Sequence, residues 1–86
     1  MEKHLDISKA LRVYNIVATN GVKKQEKYHY QGISAWSEVD GYTVHLSDEK
    51  VTLSIYFHNK FEIEHENSKQ LNAFIKNLDQ IDAEAG

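Results

Sequence analysis

Between Asp40 and Glu66 the chain reads DGYTVHLSDEKVTLSIYFHNKFEIEHE, and apolar and polar residues alternate through it with period two. Tyr42, Val44 and Leu46 point one way, and Thr43, His45 and Ser47 the other. Val51, Leu53, Ile55 and Phe57 then alternate with Thr52, Ser54, Tyr56 and His58, and Phe61 and Ile63 with Glu62, Glu64 and Glu66. This pattern marks strands with one face against a core and the other in water. β-branched and aromatic residues fill the runs, as strands prefer. Ser47-Asp48-Glu49-Lys50 and His58-Asn59-Lys60 separate them with turn-forming residues. The stretch therefore predicts three consecutive antiparallel strands.

Register follows from keeping the apolar residues on one face, because a slip of one residue inverts a strand. A tight turn at Asp48-Glu49 sets Leu46 opposite Val51, Val44 opposite Leu53 and His45 opposite Thr52. A three-residue loop at His58 to Lys60 sets Phe57 opposite Phe61, Ile55 opposite Ile63, Tyr56 opposite Glu62 and Ser54 opposite Glu64.

Two more strands are predicted upstream. Val22 to Glu26 begins a lysine-bearing edge strand, a composition that discourages sheet-to-sheet aggregation, and Lys27-Tyr28-His29-Tyr30 alternates. Gln31-Gly32 is a turn, Ile33 to Val39 the next strand, and Asp40-Gly41 a two-residue hairpin signal. Tight turns place Tyr30 opposite Ile33, Tyr28 opposite Ala35 and Val39 opposite Tyr42, all on the core side.

Helical spacing brackets the strands. Ile7, Ala10, Leu11, Tyr14, Val17 and Ala18 form an apolar stripe, widened by Val13 and Ile16, on a helix from about Asp6 to Asn20. Asp6 or Ser8 can cap its start, and Gly21 is available for a left-handed C-terminal position. Leu71, Phe74, Ile75, Leu78 and Ile81 form a second stripe on a helix starting at Asn67 or Ser68. The expected fold class is α+β, in the order α-β-β-β-β-β-α: an antiparallel meander with both helices on one face and the other face open. With 86 residues the chain makes one domain, residues 1–86, with 1–5 and 83–86 frayed.

Composition narrows the function classes. The absence of cysteine excludes a disulfide scaffold and thiolate metal sites and fits a reducing, cytoplasmic setting. The opening MEKHLDISK lacks the apolar run of a signal peptide, and no run reaches membrane-spanning length. The net charge of −3 is unevenly spread: residues 1–36 hold six Lys/Arg against three Asp/Glu, and residues 37–86 hold four against ten. Such asymmetry is met in ordinary solvated faces, and also where unlike patches of two molecules pair. General nucleic-acid binding is disfavoured, because there is no dense Lys/Arg stripe.

Chemistry-bearing motifs are sparse. His4, His29, His45, His58 and His65 have neither HExxH nor helical i, i+4 spacing, so they read as isolated histidines and no metal site is expected. Glu62, Glu64 and Glu66 form a carboxylate row, a pattern more typical of a solvated face than of a cation site. There is no GxSxG and no glycine-rich phosphate loop. No catalytic residue and no cofactor are expected. An enzyme is conceivable only with a site between subunits, built from His45 and those glutamates.

The open sheet face is the sharper feature. Trp36, Tyr56, His45, His29, Thr43 and Lys27 form the candidate binding face, with Thr52 and Ser54 beside them. Exposed large aromatics serve as interface anchors. A register slip at Gly32 or Asp40 would instead carry Trp36 into the core.

The phrase Asp40-Gly41-Tyr42-Thr43-Val44, followed by Phe57-His58-Asn59, resembles a small bacterial family known only as a domain of unknown function. The resemblance implies a short cytosolic bacterial protein and brings no activity, ligand or catalytic residue. The expected function is a non-enzymatic interaction or adaptor module using the open face, as a homo-oligomer or with a protein partner and away from membranes. The alternative is a small-ligand or single-stranded nucleic-acid binder that stacks its target on Trp36, Tyr56 and His45.

Overall fold

The computed structural model describes residues 6–39, 41–56 and 60–85. Helix α1 (Ile7–Asn20) leads into strands β1 (Val22–Lys24), β2 (Lys27–Tyr30), β3 (Ile33–Ser37), β4 (Val44–Ser47), β5 (Thr52–Tyr56) and β6 (Lys60–Glu64), and helix α2 (Ser68–Ala85) closes the chain. The strands form one antiparallel sheet in sequence order, β1 to β6. The fold is α+β, a meander between two helices, as the alternation requires.

The meander has six strands where five were expected. The chain folds back at Gln25 and Glu26, whose φ angles are +51° and +70°. Positive φ at both central residues is what a two-residue type I′ hairpin demands. Asn and Gly are the usual occupants, so a Gln-Glu pair gives no signal of a turn.

Helix α1 is capped by Asp6, whose carboxylate accepts from the Lys9 N–H at 3.2 Å. Its buried stripe centres on Ala10, Val13 and Val17, while Leu11 turns outward at 38% exposure. Gly21 is not left-handed as expected; its backbone is extended, at φ −80°. The residue is needed for closeness instead, since a Cβ there would lie 2.5 Å from the Val17 carbonyl oxygen and 2.8 Å from that of His29.

Helix α2 is capped by Asn67, whose side-chain oxygen accepts from the Gln70 N–H at 2.9 Å. Its Phe74, Leu78 and Ile81 join Val13, Val17, Ile33, Leu46 and Leu53 in one buried cluster. Each fully buried large aliphatic or aromatic side chain contributes about 1.5–3 kcal/mol of transfer free energy. Helix α2 continues to Ala85. Asp82 accepts two hydrogen bonds from Arg12, both at 3.1 Å, and Glu84 accepts from Gln31 at 2.8 Å. Lys9 pairs with Asp79 at 2.7 Å. The two ion pairs step forward together along both helices, so α1 and α2 run in the same direction where they meet. The expected fraying of residues 1–5 and of Gly86 lies outside the described residues.

The register is as expected on one side of the sheet and displaced on the other. Tyr30 faces Ile33 and Tyr28 faces Ala35. The β3–β4 ladder ends at Ser37 opposite Val44, so Val39 and Tyr42 lie beyond it and are exposed, not on the core face. Asp40 of that connection lies outside the described residues; Gly41 takes φ +77°.

From β4 onward each pairing moves by two residues. Leu46 faces Leu53, Val44 faces Ile55 and His45 faces Ser54. The cause is the Asp48 side chain, which accepts from the N–H groups of Lys50 and Val51 at 3.0 and 2.8 Å. Together with Glu49 at φ +85°, it holds a four-residue loop in place of the expected tight turn. Across the next connection Ile55 faces Phe61, Ser54 faces Glu62 and Tyr56 faces Lys60. The expected Phe57–Phe61 pair involves a residue outside the described set. A two-residue displacement changes every partner and leaves every side chain on its expected face.

Candidate binding face

Helices cover one side of the sheet, and the other carries a row of side chains that crosses it through Lys27, Trp36, His45, Ser54 and Glu62. Trp36 is half-buried on this open face, so the slip that would have carried it into the core does not occur. Lys27 places its ammonium 4.2 Å from the Trp36 ring centroid, within cation–π range. On its other side Trp36 meets His45, with ring centroids 5.0 Å apart and planes 23° from parallel.

His45 is fixed at both nitrogens. Nε2 lies 2.6 Å from a Glu38 carboxylate oxygen, and Nδ1 lies 2.8 Å from the Ser54 hydroxyl. The carboxylate can only accept, so Nε2 carries the proton and donates. In the neutral ring Nδ1 then accepts from the Ser54 hydroxyl. The imidazole side chain is 12% exposed and its carboxylate partner 52%, so the pair reaches from the sheet surface into water.

Carboxylate, imidazole and hydroxyl in series are the groups that activate a serine nucleophile in hydrolases. Ser54 lacks the rest of that apparatus. It sits mid-strand with ladder partners on both sides, His45 and Glu62, so the neighbouring backbone N–H groups are committed to the sheet. None is left beside it to hold an oxyanion. What the series does achieve is to lock the imidazole and, through the stack, the Trp36 ring.

The other expected residues sit around this row. Tyr56 donates its hydroxyl to Glu62 at 2.6 Å. That hydrogen bond, followed by desolvation and the carboxylate charge, holds the phenol above its ordinary pKa. His29 lies in the adjoining row, its Nδ1 3.0 Å from the Ser34 hydroxyl. Thr43, one residue before β4, is half-buried, and its carbonyl accepts from the Glu38 N–H at 2.9 Å. Lys27, Trp36 and His45 are thus brought into one stack, with Tyr56, His29 and Thr43 on its margins. Among the described residues no three His, Asp or Glu side chains are placed to hold a metal ion.

Sequence reasoning put Ser54 beside this face without giving it a role, and it did not single out Glu38. Glu38, one residue past the end of β3 and two from Trp36, takes the diagonal position that reaches a cross-strand neighbour. Ser54 would have emerged as the partner of His45 had the Asp48 loop been counted at its full length.

Charge is graded across the face. Lys24 and Lys27 stand directly opposite each other at the β1–β2 side, and Glu62 and Glu64 lie on β6. Among the described residues none of these four has an opposite charge within ion-pair distance. A cleft of about 440 Å³ opens beside Trp36 toward β1, lined by Tyr14, Lys23, Tyr28, Glu38 and Val39 among others.

Residues 5–86 match the family described as "Protein of unknown function (DUF3081)". No curated protein and no solved structure matches the chain. Among the described residues no helix is long and apolar enough to cross a membrane.

Proposed function

The chain belongs to the DUF3081 family, whose description names no activity, and we propose from its surface that it works as a non-enzymatic interaction module through the open sheet face. The observation that carries this reading is the Lys27–Trp36–His45–Glu38 series in the middle of that face. A large aromatic whose neighbours already fix its position loses little conformational freedom on binding, which is what makes an effective interface anchor. We place the module in a cytoplasmic setting, in line with its lack of cysteine.

The test removes Trp36 and Tyr56, the two large aromatics of the face, one at a time. Trp36→Ala and Tyr56→Ala, with circular dichroism matching the wild type, are expected to weaken self-association or partner binding at least tenfold. Variants that fold and associate as the wild type does would sink the reading.

A second reading is favoured by the cleft beside Trp36, where Tyr14 and Tyr28 add aromatic walls and Lys23 a positive charge. Its volume suits a small ligand, and a single-stranded nucleic acid could stack there. A saturable change in Trp36 emission on titration with nucleotides or short oligonucleotides supports it. A flat response removes it.

A further inference from the structure

We infer that the occupant of the open face is a second copy of this chain, seated about a two-fold axis that runs parallel to the strands between β3 and β4. The inference rests on the open face being an interaction surface and names what covers it.

The argument begins with unbalanced charge. Lys24 and Lys27 are cross-strand partners, an arrangement of like charges that disfavours the hairpin. Glu62 and Glu64 are same-face neighbours on β6, the edge strand at the opposite side of the sheet. Each edge therefore lacks what the other supplies.

Symmetry turns this into a geometry. Face-to-face sheets related by a two-fold axis perpendicular to the strands bring each edge onto its own copy, lysines on lysines and glutamates on glutamates. An axis parallel to the strands exchanges the edges. Each row then meets the same row of the partner in reverse order, so Lys24 and Lys27 lie over Glu62 and Ser54. The next row gives the same result: Lys60 lies over the Gln25-Glu26 turn. In the third row His29 lies over Thr52 and Val22 over Glu64, a row that adds no charge pair. An isologous contact must be self-complementary, and of these two axes the parallel one sets Lys24 of each copy against Glu62 of the other. It also places the Trp36–His45 pairs of both copies at the centre, where the gap of about 10 Å between packed sheets needs large side chains.

Area sets the strength. Six strands about 4.8 Å apart and about 15 Å long present roughly 350 Å² in plan. A standard interface takes about 800 Å² per partner. The dimer is therefore weak and reversible.

The experiment is sedimentation equilibrium combined with amide chemical shifts on dilution, from about 1 mM to about 10 μM, the range that brackets such an affinity. It compares wild type with K24E, E62K and the double exchange K24E/E62K, all of which leave Lys27 in its stack. Both positions are exposed, and the double exchange leaves the net charge of −3 unchanged. Wild type is expected to dimerise with shifts confined to the open face. Each single variant should be weakened at least tenfold, and the double exchange should restore the wild-type affinity. A double variant as weak as the single ones overturns the inference. A wild type monomeric at every concentration overturns it too; if Trp36 then still responds to a peptide or oligonucleotide, the open face remains an interaction surface. A dimer whose shifts fall on the helices overturns both.

Discussion

Trp36 and His45 face each other on β3 and β4 with their rings 5.0 Å apart and nearly parallel. Lys27 closes the stack on one side, and Glu38 and Ser54 hold the imidazole on the other. Cross-strand aromatic pairs contribute about 0.5–1.5 kcal/mol beyond the area they bury. Trp36→Ala is therefore expected to lower stability by about 1–2 kcal/mol, about 5–10 °C in Tm for a domain of this size. Trp36→Phe should keep most of it. Thermal unfolding by circular dichroism reads the first effect. The His45 ring protons, shielded by the indole, should move downfield in the alanine variant.

The β1–β2 turn holds Gln25 and Glu26 at positive φ, a conformation that costs a residue with a Cβ about 1–2 kcal/mol. Gln25→Asn with Glu26→Gly relieves that cost and is expected to raise stability by about 1 kcal/mol. Urea unfolding gives the test: the midpoint should rise while the slope stays constant.

Asp48 is the residue that sets the length of the β4–β5 connection. Asp48→Ala removes the acceptor for two backbone N–H groups and is expected to cost about 1–2 kcal/mol. Because the loop sets which residue faces His45, the same substitution should broaden the His45 and Ser54 amide signals. Asp48→Asn, which keeps an acceptor oxygen, should retain most of the stability.

The pairing of the five downstream residues shows where sequence reading reached and where it stopped. Alternation assigned His45, Ser54, Tyr56, Glu62 and Glu64 to one face, because a face depends only on parity. Their partners depend on loop length, and loop length here is set by one carboxylate turning back onto its own backbone. Nothing in apolar periodicity reports that. The Gln25-Glu26 turn was hidden for a related reason, since the left-handed geometry is imposed by strand pairing on residues that do not prefer it. The helix stripes and the caps at Asp6 and Asn67 were legible because they depend on local spacing. The outward turn of Leu11 was not, because it depends on where α2 lies.

Acid should loosen the contact between the helices. The Arg12 hydrogen bonds, with the Arg12 charge, hold the Asp82 carboxyl below its ordinary pKa. A group depressed in the folded state contributes stability above its unfolded pKa and loses it as pH falls through the folded value. Wild type is thus expected to melt higher than Asp82→Asn at neutral pH. The difference should shrink in the acid range below the ordinary carboxylate pKa. A gap that stays constant from neutral pH to that range would count against the ion pair as its source.

Each strand of the meander pairs with its neighbour in sequence across a short connection, so every hairpin closes at small entropic cost. The helix contact is of another kind. Lys9 meets Asp79, and Arg12 meets Asp82, across 70 residues of chain. The sheet can zip from turn to turn, but its core face stays wet until α1 and α2 find each other. Synthesis delivers α2 after the strands, so the sheet waits for half its cover, and the final turns of α2 act as the latch.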